Sequence, residues 1–145
     1  MGAWGIMTFE DDTSLDLLDE WVEERATVQK ISKDIKTLLS QDEFDYEAGQ
    51  AAGAFAAVIE FALSPATAPD FEDSKDTNEG LTLWLSSLSQ DELVKSIPLA
   101  VLGVQRMCSQ DSELNELWEE SGEYYNQWLS FNEERISRLK MISRE

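Results

Sequence analysis

"DYEAGQAAGAFAAVIEFALSP", running from Asp45 to Pro65, is the stretch that decides the fold of this chain. Between Ala51 and Leu63 it is apolar nearly all round, without the single stripe of a surface helix. That pattern predicts a helix packed on more than one side. Its alanines and Gly53 let neighbouring helices approach closely. A stretch of about 20 apolar residues reaches membrane-spanning length, but Asp45, Glu47, Gln50 and Glu60 argue against a span, and Pro65 ends the helix. The remainder of the chain must supply what covers this segment.

Its flanks read as covering helices. From Thr13 to about Arg25, Leu15, Leu18 and Val22 recur at helical spacing, Trp21 widens the stripe, and Asp16, Asp19, Glu20, Glu23 and Glu24 line the other side. From about Thr27 to Ser40 the apolar positions are Val28, Ile31, Ile35, Leu38 and Leu39, and the polar face switches to Lys30, Lys33 and Lys36. Ion pairs between two such helices are each worth less than about 1 kcal/mol when exposed.

Beyond Pro65, "PATAPDFEDSKDTNEG" (residues 65–80) reads as an acidic loop. "LTLWLSSLSQDELVKSIPLAVLGVQRMCSQ" (81–110) predicts a short helix ending near Ser89 and another restarting at Asp91. Pro98 either kinks this second helix or begins a new one, with Ser96 available as its cap. "DSELNELWEESGEYYNQWLSFNEERISRLKMISR" (111–144) carries Leu114, Leu117, Trp118, Tyr125, Trp128, Leu129, Ile136 and Leu139 as one long amphipathic stretch with a bend at Gly122. There is no run of period-two alternation and no internal repeat. The expectation is an all-α fold: a compact single domain over residues 1–145, built as a bundle of about six helices.

The N-terminal "MGAWG" adds an apolar hook. Gly2 and Gly5 permit a tight bend that turns Trp4 inward, Phe9 staples the entry of the first helix, and Asp11, Asp12 or Thr13 caps it. Trp21, Trp118 and Trp128 fall on apolar stripes and belong to the core. Trp84, directly after the acidic loop, is the best candidate for an exposed aromatic anchor, although the core is its favoured fate.

Charge narrows the function. Thirty acids face eleven bases among 145 residues, a net charge of −19. This is the wrong sign for nucleic-acid phosphates or an anionic membrane surface. It suits either plain solubility or capture of a basic protein. The single cysteine, Cys108, forms no internal disulfide, and the chain has no histidine. A reducing cytosol is the expected compartment, since no signal peptide is evident either. Without an imidazole base or a thiolate cluster, nucleophilic catalysis and zinc binding lose their usual residues. Cys108 reads as a small core residue.

Glu116, Glu119, Glu120 and Glu123 share helical neighbour spacings, yet di-iron sites of this kind add histidines. In "DFEDSKDTNEG", Lys75 stands where a calcium loop requires glycine. No metal and no cofactor are expected. Glu60 and Arg106, each interrupting an apolar run, are expected to form a partly buried ion pair that fixes helix register.

Two stretches carry a resemblance. "MGAWG" followed by Phe9-Glu10-Asp11-Asp12 and "SLDLLDEW", together with "DSELNELWEESGEYYNQWL" near the other end, resembles the bacterial family named domain of unknown function 4259. The resemblance runs from Met1 to about Leu139, and the 65–80 loop is its least family-like part. It implies a small helical domain without assigned enzymatic activity or catalytic residues. Some related small acidic proteins are encoded beside bacterial toxins and act as immunity proteins, including those of contact-dependent growth inhibition systems.

The resulting expectation is a cytoplasmic, non-enzymatic immunity protein that covers the active site of a basic toxin, a nuclease domain by preference. Asp70, Glu72, Asp73, Asp76 and Glu79 of the loop, or Glu116, Glu119, Glu120 and Glu123, would stand in for phosphates, with Trp84 as anchor. The alternative is a non-enzymatic regulatory or structural domain whose acidity serves solubility alone.

Overall fold

A computed structural model describes residues 8–66 and 79–144. Eight helices occupy them: α1 (Asp12–Glu24), α2 (Val28–Leu39), α3 (Tyr46–Leu63), α4 (Glu79–Ser87), α5 (Gln90–Lys95), α6 (Ile97–Met107), α7 (Glu113–Ser121) and α8 (Tyr125–Ser143). No strand occurs among the described residues. The nearest approach is one isolated parallel bridge between Phe44 and Ser112, where the Glu113 N–H donates to the Phe44 carbonyl at 3.0 Å.

Helix α3 is the axis of the fold. Thirteen consecutive residues, Ala48 to Glu60, are buried, as its all-round apolarity predicts. It packs against each of the other seven helices, most extensively against α6. Phe55, Val58 and Ile59 are almost fully enclosed, each worth about 1.5–3 kcal/mol of transfer free energy. The small residues set the helix spacing. A Cβ placed on Gly49 would come within 3.0 Å of the Leu114 Cβ, and one on Gly103 within 3.2 Å of the Ala52 Cβ. Arg106, near the end of α6, covers the Phe44 ring just before the start of α3, while Gly103, a turn earlier, faces Ala52 further along α3, so α3 and α6 run antiparallel.

The helix starts follow capping chemistry. Asp11 caps α1, accepting from the Thr13 and Ser14 N–H groups, while Thr27, Asp45, Ser89 and Ser112 cap α2, α3, α5 and α7. Phe9 is buried against the core as expected, while Trp4 and the rest of the hook lie outside the described residues.

The expected count of about six helices rises to eight because two possible bends are full breaks. Pro98 sits in the first turn of α6, where its missing N–H costs nothing, so a new helix begins there. Gly122, at φ 71°, takes a positive angle that L side chains resist and separates α7 from α8. Ser96 precedes α6 but does not cap it through its side chain. Its hydroxyl instead lies 3.1 Å from that of Ser32 on α2.

Candidate functional site

Charge placement distinguishes the helices. Helices α2, α5, α6 and α8 each carry a cation in the last turn, at Lys36, Lys95, Arg106 and Lys140, which complements the negative end of the helix dipole. Helices α1 and α7 carry none. On α1, Asp12, Asp16, Asp19, Glu20, Glu23 and Glu24 are all exposed. Only Glu24 forms an ion pair among the described residues, with Lys30 at 3.0 Å. On α7, Glu113, Glu116, Glu119 and Glu120 are exposed, as is Glu123 just beyond it.

Asp12, Glu113 and Glu116 suit their helix N-termini. Glu20, Glu23, Glu119 and Glu120 oppose the dipole. The pairs Asp16–Glu20, Asp19–Glu23 and Glu116–Glu120 are like charges one helical turn apart, which destabilises a helix. The fold gains nothing from these late carboxylates.

Of the acids proposed from sequence, Glu116, Glu119, Glu120 and Glu123 thus form one exposed group. Asp70, Glu72, Asp73 and Asp76 lie outside the described residues, and Glu79 opens α4 instead of closing a loop.

The structure corrects the role given to Trp84. This side chain is buried, its indole N–H donates to the Ala26 carbonyl at 2.8 Å, and its ring centroid lies 6.4 Å from that of Trp21. The exposed side chain is its neighbour Leu83, at 70%. The sequence holds the signal: Leu81, Trp84, Leu85 and Leu88 recur at helical spacing and leave Leu83 off the stripe. Leu83 borders a groove between α1 and α4 of about 520 Å³, lined by Val22, Glu23, Arg25, Gly80, Leu83, Trp84 and Ser87. Trp118 and Trp128 are buried as expected and stack with centroids 5.7 Å apart.

The expected Glu60–Arg106 pair is also overturned. Glu60 is fully buried and binds two arginines of α8: Arg135 Nη1 lies 2.8 Å from Oε1 and Arg138 Nε 2.5 Å from Oε2. Arg135 is itself fully buried, and its guanidinium lies 5.1 Å from the Phe131 ring centroid. The reason is helix direction. Because α6 runs antiparallel to α3, Arg106 falls beside the N-terminal half of α3, at the opposite end from Glu60. There its guanidinium donates to the carbonyls of Leu39 at 3.2 Å, Gln41 at 3.1 Å and Asp42 at 3.2 Å. It also pairs with Asp111 at 3.0 Å and covers the Phe44 ring. Arg106 therefore ties down the end of α2, which the sequence reading missed.

A further polar cluster joins α1 to α3. The Tyr46 hydroxyl donates to Asp11, and the Ser14 hydroxyl donates to Gln50 Oε1 at 2.6 Å. Burial, followed by the hydrogen bond to Asp11, pushes the Tyr46 phenol up to about 12. Cys108 packs against the core, and burial pushes its thiol up to about 12, with Glu133 adding to the rise. It is therefore held as the unreactive thiol at neutral pH.

Among the described residues no group of three or more His, Cys, Asp or Glu side chains is placed to hold a metal ion. None of their helices is long and apolar enough to cross a membrane.

No curated protein matches the chain, and no solved structure does. The family model described as Domain of unknown function (DUF4259) matches residues 2–130, and the chain belongs to that family.

Proposed function

We propose that this chain is a non-enzymatic, cytoplasmic immunity protein that binds a basic protein toxin, a nuclease domain by preference, and covers its active site. The observation that carries this reading is the set of exposed carboxylates Glu20 and Glu23 late in α1 and Glu119 and Glu120 late in α7, none of which forms an ion pair among the described residues. Acids in those positions weaken a helix, so folding does not account for them, whereas a cationic surface that expects phosphates does. Apolar contact supplies most of the affinity in such a complex, while charge sets encounter rate and specificity.

The test is co-expression with the toxic product of an adjoining reading frame, scored by growth, followed by stopped-flow association of the purified pair. Growth is expected to be rescued. Association is expected to slow steeply as salt rises to about 0.5 M, with dissociation changing far less. Failure of rescue overturns the reading, as does an association rate indifferent to salt. If acidity served solubility alone, exchanging the late carboxylates of both helices for amides would leave protection intact.

A further inference from the structure

The groove between α1 and α4 combines an exposed apolar wall with an acidic rim. Leu83 projects into it with 70% of its surface exposed, more than any other large apolar side chain among the described residues. Val22, half-buried, forms part of the facing wall on α1, and buried Trp84 closes the base. Glu23 stands on the rim, and Asp19 lies one turn before it on the same side of α1. Neither forms an ion pair among the described residues. Arg25, the one cation in the lining, sits beyond the end of α1 in a left-handed conformation at φ 53°.

We propose that this groove is the docking site for the basic partner, and that its occupant is a cationic amphipathic peptide segment. An apolar side chain of that segment enters between Leu83 and Val22, and its lysine or arginine heads engage Glu23 and Asp19. Arg25 repels cations at one end and so fixes the direction in which the segment lies. The inference rests on the toxin-binding reading above and names its surface. Charge complementarity selects the occupant. A second copy of a chain with net charge −19 is repelled by the rim, as are nucleic acids and anionic lipid headgroups. A purely polar cation leaves the apolar walls uncovered.

The full chain can be titrated with a fluorescein-labelled helical peptide of lysines with leucine at every third or fourth position. The control peptide keeps the lysines and replaces each leucine by glutamine. Anisotropy at about 0.15 M salt gives affinity, and amide chemical shifts locate the contact. The leucine peptide is expected to bind more tightly than its control and to shift Val22, Glu23, Leu83 and Ser87 most. Leu83→Ser and Glu23→Lys are each expected to weaken binding by about tenfold, as for a central interface contact. Paired Glu116→Lys and Glu120→Lys changes on α7 are expected to alter it by less than about twofold, as for rim positions. Both altered sites are exposed, and an unchanged thermal midpoint verifies folding.

Shifts centred on Glu116 to Glu123 would overturn the groove while leaving toxin binding in place. Equal binding of the two peptides, or an unaltered affinity in Leu83→Ser, overturns it as well. Absence of binding by either peptide does the same. Growth rescue, measured separately, decides the broader reading.

Discussion

The carboxylates of α1 and the carboxylate at the end of α3 are treated oppositely by the same molecule. Glu60 is sealed from solvent and gripped by Arg135 and Arg138. Asp16, Asp19, Glu20 and Glu23 stand in solvent without an ion pair among the described residues. Asp11 lies between these extremes, buried but satisfied by two backbone N–H groups and the Tyr46 hydroxyl. The difference separates charge that the fold requires from charge that it merely carries. Desolvating a carboxylate is costly unless cations and hydrogen bonds surround it, and α8 delivers two guanidiniums that offset the burial of Glu60. The α1 acids meet no such requirement, which leaves them available to something outside the chain.

The sharpest way to break this contrast is to remove the buried partner. Glu60→Leu removes the carboxylate that faces Arg135 in the core and is expected to cost about 3–5 kcal/mol, measured by urea unfolding. Adding Arg135→Met is expected to recover much of that loss, because an apolar pair of similar volume needs no compensation. If Glu60→Leu left the unfolding midpoint unchanged, the distinction between required and carried charge would disappear.

Asp11 provides an intermediate test. The Tyr46 phenol is raised from 10.0 to about 12 in the folded protein, so folding favours its protonated form. Its contribution to stability is fully present below pH 10 and is lost as pH rises through about 12. Tyr46→Phe is expected to remove this part of the alkaline loss, and ultraviolet titration of that variant should lose a phenol step near pH 12 that the wild-type chain shows.

The smallest effect belongs to α1. Changing Glu20 and Glu23 to glutamine is expected to raise the urea midpoint slightly at low salt, since it relieves dipole opposition and like-charge repulsion. The gain should vanish near 1 M salt, where the screening length is about 3 Å. A fall in stability would show that these acids serve the fold after all.

How much of this was legible in the sequence depended on the range of each interaction. Burial of α3 on every side, the cap at Asp11, and the core places of Trp21, Trp118 and Trp128 follow from local pattern. Each is decided within one or two helical turns. The partner of Glu60 was not legible because Arg135 lies 75 positions away, and choosing it over Arg106 requires the antiparallel course of α6. For Trp84 the favoured core fate held, as its helical register with Leu81, Leu85 and Leu88 requires, and the anchor role that its residue type suggested did not. The breaks at Pro98 and Gly122 were visible as positions. Whether each produced a bend or a new helix depended on the backbone angles taken there, such as the positive φ of Gly122, and so the count differed. For the candidate site, the acidity was plain from composition, while the groove beside Leu83 exists only once α1 and α4 are side by side.

Helix α3 has a mechanical consequence. Since it borders all seven of its companions, peeling away any one of them wets a strip of the same buried rod. No peripheral element can then detach at a cost that is its own alone. A grip on the rim at α1 and α4 therefore braces segments that the visitor never meets, and loosening the rod at any point is felt all around it.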